Sequence, residues 1–399
     1  MKVLHTSDWH IGHRLYEKPR EKEYLAFFNW LRDYIRDNEI EILIVAGDIF
    51  DTSMPSNSSL RLYYNFLISL NKTKCKRVII TAGNHDSPST IEAPKEILNA
   101  LNISVVGSVN SDNIFPIEDS NITIVAIPFL RDRDIREAIS KEDFNDISSR
   151  YKKALIDYYS RVAKRCEELR DDNSFFIATG HLFATNTNIS DSESSIYVGG
   201  LGDISADDFP DTFDYIALGH LHKAQKVGGK EHIRYSGSPI PLSFNEAKRD
   251  SKVILLDIDS RDLDIKEVVV PRFRELISIR CKIDEVEERL KSISSSLALK
   301  SWVDITIVDK SRDLLINEKI IDISRDLDLE VVRVSVESGE FNYPREILEE
   351  SISLSSLTPE DIFIKKCQEE EFNLEDNPKV KDAFYEILSI VREDSREDR

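Results

Sequence analysis

Short apolar runs, most of them closed by a glycine and a polar residue, recur through the first half of the chain and alternate with amphipathic stretches of helical period. Val3–Thr6 predicts a strand that delivers Ser7-Asp8-Trp9-His10 at its end. Leu25, Phe28, Leu31 and Ile35 stand at helical spacing and predict a helix over residues 21–38. Ile42–Ala46 is a second apolar strand, closed by Gly47-Asp48, and a helix over Ser59–Leu70 leads to a third. That strand, Val78–Ala82, opens into Gly83-Asn84-His85-Asp86 before a helix over Ser89–Leu101. The alternation resumes with a strand at Ile122–Ile127, a helix at Tyr151–Leu169 and a strand at Phe175–Thr179 ending in Gly180-His181. A strand at Tyr215–Leu218 ends in Gly219-His220-Leu221-His222. Strands alternating with helices predict an α/β core of mixed sheets flanked by helices, doubly wound or sandwich-like. Folds of this class place their chemistry at the C-terminal ends of strands.

After Pro271 the pattern becomes a compact β-α-β-α-β unit, with strands at Glu275–Cys281, Trp302–Val308 and Leu329–Val336 and helices at Asp284–Ser294 and Asp313–Ile323. It is too small to be a separate enzyme and carries no histidine, which fits a stabilising module. A linker follows, and Thr358-Pro359-Glu360-Asp361 begins a helix with an N-cap, a proline at the first helical position and acids in the first turn. Ile362 and Phe363, then Phe384, Leu388 and Val391, form apolar stripes on two helices of an acidic tail. The expected division is 1–272 for the core, 273–338 for the cap and 339–399 for the linker and tail.

Composition narrows the class. A chain of 399 residues, 41% hydrophobic and 32% charged, buries a full core and divides into two or three domains. No apolar run is long enough to span a bilayer, and Met1–Asp8 enters a strand without a signal-peptide core, so a cytoplasmic location without membrane contact is expected. Cys75, Cys166, Cys281 and Cys367 form no C-x-x-C pair and read as ordinary thiols. The net charge of −20 opposes a polyanionic partner, but it is uneven. Residues 1–274 hold 35 basic and 42 acidic residues, a balance of −7, and residues 275–399 hold 18 and 31, a balance of −13. A cation-loaded site in the first part reverses the local charge and suits phosphate.

The strand ends supply that site. Asp8, His10, Asp48, Asn84, His85, His181, His220 and His222 all follow predicted strands within a few residues. A polar turn after a core strand explains any one of these clusters, but five together point to a pair of divalent ions. Carboxylate, imidazole and amide ligands without thiolate favour manganese-like ions over structural zinc. Asp8 and His10, two apart, are expected in extended geometry with both side chains on one side. One carboxylate, Asp48, is placed to bridge two ions that clamp the attacking and leaving oxygens of a phosphoryl displacement. His5, His13 and His232 fall outside the pattern and read as structural or surface residues. The basic, aromatic loop His13–Arg20 is a candidate to track a nucleic-acid backbone, with a solvated loop as the alternative.

The series D-x-H, G-D-x-x-D, G-N-H-D, G-H and G-H-x-H resembles the calcineurin-like metallophosphoesterases. The runs Leu4–His10, Val45–Thr52, Ile127–Arg131 and Tyr235–Phe244 are similar to the bacterial nuclease branch of that family, which works within ATP-dependent SMC-like complexes in DNA repair and recombination. The resemblance implies that Asp8, His10, Asp48 and His222 hold one ion and that Asp48, Asn84, His181 and His220 hold the other. It implies that His85 stands outside the pair as the acid or phosphate-orienting residue. It further implies DNA as substrate, with double-strand exonuclease and hairpin-opening endonuclease activities acting on ends and hairpins. A coiled-coil ATPase would grip the tail. A homodimer would form through Leu60, Tyr63, Tyr64, Leu67, Ile97, Leu98 and Leu101, on helices flanking the G-N-H-D strand. Phosphomonoester-cleaving relatives read G-D-x-x-D-R-G, whereas Asp51 here precedes Thr52 and Ser53, which favours a diester unless Arg131 or Arg133 substitutes. A small-molecule phosphodiesterase or phosphatase and a non-catalytic scaffold for an ATPase are the two other readings.

Overall fold

The computed structural model describes residues 1–109, 113–131, 134, 147–184, 187, 204–308 and 316–337. The chain divides into two compact units, Met1–Ser338 and Gly339–Arg399. The second, with the tail helices expected there, lies outside the described residues, as does Arg133.

In chain order the core opens with β1 (Lys2–Thr6), the short ribbon β2 (Arg14–Leu15) and β3 (Lys18–Pro19), α1 (Glu21–Asp37), β4 (Ile42–Ala46) and α2 (Asn57–Ser69). It continues through β5 (Arg77–Thr81), α3 (Pro88–Glu92), α4 (Lys95–Asn99), β6 (Ile103–Val106), β7 (Ile114–Pro116) and β8 (Ile122–Val125). The helix Ile147–Glu167 precedes β9 (Phe175–His181), β10 (Tyr215–Gly219), β11 (Gln225–Val227), β12 (Lys230–Tyr235), and the hairpin β13 (Lys252–Asp259) and β14 (Asp262–Val269). The last lobe holds β15 (Leu276–Cys281), the helix Val286–Lys291, β16 (Ser301–Val308), the helix Ile316–Ser324 and β17 (Leu329–Glu337).

The core strands form two six-stranded mixed sheets, ordered β14-β13-β1-β4-β5-β6 and β11-β12-β10-β9-β8-β7. Strand periodicity explains how they stack. Leu43 and Val45 face outward into a cluster with Phe27, Phe28, Leu31 and Phe66 of α1 and α2. Ile42 and Ile44, on the other face of the same strand, meet Phe175, Ile177, Tyr215 and Ala217 of the second sheet. Both faces are covered, which is why the strands read as continuous apolar runs and not as alternating ones. The helix Ile147–Glu167 covers the second sheet through Tyr151, Leu155, Tyr159 and Val162.

One expected helix is interrupted, and one hairpin is an addition to the expected elements. The helix over Ser89–Leu101 is broken into α3 and α4 at Pro94, which has no backbone N–H for a continuing helix. The β13–β14 hairpin was not expected, because β14 is dominated by charged residues and only partly buried. Ser260, at φ 58°, makes its turn.

The last lobe is a parallel sheet ordered β15-β16-β17, with its own apolar cluster of Val286, Leu290, Val303, Ile305, Ile307 and Ile320. It meets the core where Leu276 and Trp302 pack with Leu15, Phe244 and Ala247. The loop His13–Arg20 is part of this seam. Tyr16 stacks on Phe244 with Arg333 over its ring, Lys18 pairs with Glu330 at 2.6 Å, and the fully buried Arg20 pairs with Glu23 at 2.6 Å. Tyr16, Lys18 and Arg20 thus meet the last lobe and α1, whereas Arg14 pairs with Glu17 of the loop itself and stays half exposed.

Candidate metal centre

The loops after β1 and β4 run side by side. The N–H groups of Asp8, His10 and Ile11 donate to the carbonyls of Gly47, Asp48 and Ile49 at 3.0, 3.0 and 2.9 Å. Between the two polar residues, Trp9 is driven fully into the core, edge-on to Phe27, Phe28 and Phe66, with its indole N–H on Thr6 Oγ1 at 3.1 Å. That anchor leaves Asp8 and His10 on the opposite side. Their backbone is not extended, as the two-residue spacing predicted, but left-handed, at φ 52° and 47°. Asp48 and His220 are left-handed too, at φ 49° and 102°. Such conformations cost of order 1–3 kcal/mol each outside glycine and gather at functional sites.

Two glycines are needed for close approach. A Cβ on Gly83 would lie 2.1 Å from Asp48 Oδ1, and one on Gly47, at φ 87°, would lie 2.1 Å from His181 Nδ1. Asp86, 1% exposed, braces the same loops by accepting the N–H groups of Gly83 at 2.8 Å, Phe50 at 2.9 Å and Ile49 at 3.1 Å.

All eight residues singled out in the sequence converge. Ligand atoms of Asp8, His10 and His222 lie within 4.8 Å of one another, as do those of Asp8, Asp48 and His181 and those of His10, Asp48 and His85. Asn84 Oδ1 joins them, 3.0 Å from His181 Nε2 and 3.1 Å from His220 Nδ1. Asp48 is common to two of the three groups, with Oδ2 3.2 Å from His181 Nε2 and 3.6 Å from His10 Nε2. His85 approaches as closely as the other members, and its Nδ1 donates to the carbonyl of Asp51 at 2.8 Å.

The electrostatics suit cations. Burial alone would push the Asp48 carboxyl up, but the imidazoles of His181, His10 and His85 hold it well below the ordinary carboxylate range. Burial opposes charge on His181, yet Asp48 and Asp8 raise it to about 9. His220 is lowered to about 3 by burial and by the neighbouring His181. Most telling is His10. Both ring nitrogens are buried without a close hydrogen bond, Nδ1 standing 3.5 Å from Asp51 and Nε2 3.6 Å from Asp48, an arrangement whose cost an ion at one nitrogen would relieve. These residues fit hard or borderline divalent ions, and no thiol belongs to the set.

His5 is buried and structural, while His13 and His232 are half-buried and outside these groups. Arg131 Nη2 donates to the carbonyls of Gly83 and Asp86 and so braces the Asn84–His85 loop. Three supporting residues were not singled out from sequence. Asp86 and Asp51 belong to the motifs themselves, whereas Glu246, against His222, lies 24 residues away and left no signal.

Comparison with known proteins places these motifs. The family profile Calcineurin-like phosphoesterase matches residues 1–224, and the profile Type 5 capsule protein repressor C-terminal domain matches residues 272–371. The chain is 35% identical to the SbcD component of nuclease SbcCD from Escherichia coli K12, covering 98% of both. It is 32% identical to the corresponding protein from Rhodobacter capsulatus over 65% of this chain and 66% of the relative. With that of Bacillus subtilis it shares 27% over 77% and 79%.

Proposed function

The chain belongs to the calcineurin-like phosphoesterases and, within them, to the SbcD nucleases, and from that premise we propose that it cleaves DNA phosphodiesters with two divalent ions, manganese by preference. The observation that carries the reading is the convergence of seven nitrogen- and oxygen-bearing side chains with Asp48, among them His10 with both ring nitrogens buried and not hydrogen-bonded.

Asp8, His10, Asp48 and His222 would hold one ion and Asp48, Asn84, His181 and His220 the other. When bound, such a pair supplies charge stabilisation for the attacking and leaving oxygens of an in-line displacement. The chain's own residues set the geometry. The carbonyl of Ala46 accepts from His181 Nδ1 at 3.0 Å, which turns Nε2 toward Asp48 and Asn84. His85, with Nδ1 engaged by Asp51, presents Nε2 to the phosphate, where it orients an oxygen or delivers a proton to the leaving group.

The activities proposed are double-strand exonuclease at DNA ends and endonuclease at hairpins. The partner proposed for the tail is an SbcC-like coiled-coil ATPase, and the lobe from 273 to 338 is proposed as a cap that shapes the DNA path. A homodimer is proposed through α2 and α4, where Ile97 is 71% exposed; Tyr63, Leu67 and Leu98, expected in that contact, are instead buried in the chain's own core, and Leu60, Tyr64 and Leu101 pack against it. Among the described residues no helix is long and apolar enough to cross a membrane.

A manganese-dependent assay on end-labelled duplex DNA, run beside a nitrophenyl phosphodiester and a nitrophenyl phosphomonoester, tests the reading. Metal-dependent shortening of the duplex supports it. Turnover of the small esters with intact DNA would assign a small-molecule phosphodiesterase or phosphatase, and no turnover of any substrate would favour a scaffold.

A further inference from the structure

We propose that Glu246 is a positioning residue for the metal centre, fixing the ring of His222 from behind while the last lobe holds Glu246 in place. The proposal rests on the reading of His222 as a ligand. Glu246 is 3% exposed, at the start of the one-turn helix Glu246–Lys248. Its Oε1 lies 3.3 Å from His222 Nδ1, and its Oε2 accepts the N–H of Leu242 at 2.8 Å. Its own N–H donates to Ser243 Oγ at 3.1 Å. The carboxylate therefore joins the imidazole to the backbone of the 242–246 turn. With Nδ1 donating to a carboxylate, Nε2 is the nitrogen left for Asp8 and His10, whose ring stands 5.0 Å from that of His222. A carboxylate behind a metal-bound histidine fixes its tautomer and orientation and raises its basicity.

What seats Glu246 lies on both sides of it. Phe244 and Ala247 pack with Leu15 and with Leu276 and Trp302 of the last lobe. The Arg274 guanidinium stacks 4.2 Å over the Trp302 ring and reaches Glu23 at 3.0 Å, and Glu23 pairs with the buried Arg20. Arg20 Nη1 returns to the carbonyl of Pro241. Residues 241–247 are thus clamped between the core and the last lobe, and the orientation of one ligand depends on that seam.

Calorimetric titration of Mn²⁺ into the full-length chain tests this, with melting followed in parallel under excess chelator. Wild type, Glu246→Ala, Glu246→Gln and Trp302→Ala are compared. Glu246→Ala is expected to weaken one ion by about ten- to a hundredfold, leave the other unchanged, and melt as wild type without metal. Glu246→Gln, which keeps an acceptor for Nδ1, should recover part of the loss. Trp302→Ala should weaken the same ion by a smaller factor. Unaltered affinities in Glu246→Ala, equal weakening of both ions, or a loss of affinity that merely follows a lowered chelated melting temperature would overturn the proposal. So would Trp302→Ala that leaves both affinities untouched. A wild-type chain that binds no Mn²⁺ would instead bring down the reading of the site itself.

Discussion

His5 Nδ1 lies 3.1 Å from the hydroxyl of Tyr215, across the seam between the two sheets. His5 Nε2 donates to the carbonyl of Leu218 at 3.2 Å, so Nδ1 accepts from the tyrosine and the ring is the neutral tautomer, enclosed between β1 and β10. Burial lowers it from 6.5 to about 3, with the Leu218 carbonyl offsetting only part of that effect.

The consequence is a pH-dependent term in stability. The fold retains the neutral ring, while the unfolded chain takes up a proton below 6.5. The contribution is complete above that value and is lost as pH falls from 6.5 toward 3, reaching about 2 kcal/mol at about pH 5. Urea unfolding of the metal-free chain should therefore show wild type losing about that much more stability than His5→Gln between neutral pH and about pH 5. Parallel pH profiles for the two proteins would show that His5 is not held neutral.

His85→Gln is expected to remove most DNA cleavage while leaving manganese content near that of wild type, because Nε2 is assigned to the phosphate. Metal analysis of the purified variant checks this. His85 stands within ligand distance of His10 and Asp48, so a loss of manganese on substitution would move it among the ligands.

Cutting the chain after Ser338 is expected to leave manganese binding and basal diester cleavage near normal and to abolish binding to an SbcC-like ATPase. The two short helices that the sequence predicts for the acidic tail would bury too little to be stable alone, which makes a docking partner physically reasonable. Pull-down with the ATPase and a melting curve of the truncated chain read the two halves separately. A lost cooperative transition places the tail in the core, and full ATPase affinity places the contact elsewhere.

The convergence of the candidate residues was legible because each follows an apolar strand within a few residues, so linear order and spatial proximity coincide. The conformations that produce the convergence were not. Asp8 and His10 reach one site through left-handed backbone and the burial of Trp9, and a two-residue spacing alone suggested extended chain. Likewise Gly83 reads as a turn residue, but its role is to let Asp48 approach. The loop His13–Arg20 has the composition of a polyanion contact, and only the packing of Tyr16 on Phe244 and of Lys18 against Glu330 shows what its side chains meet. Glu246 depends on a fold contact with a residue 24 positions away, which no local pattern carries. The division of the ligands between two ions, and the separate role given to His85, came from family resemblance and not from spacing.

Asp48 is the residue on which the proposed two-ion centre turns, since it is the only side chain assigned to both ions. Calorimetric titration of Mn²⁺ into wild type and Asp48→Asn tests that most directly. Two ions per chain in the wild type, with both weakened or lost in the variant together with DNA cleavage, is the expected result. Two undiminished sites in Asp48→Asn, or a single ion in the wild-type chain, would contradict it.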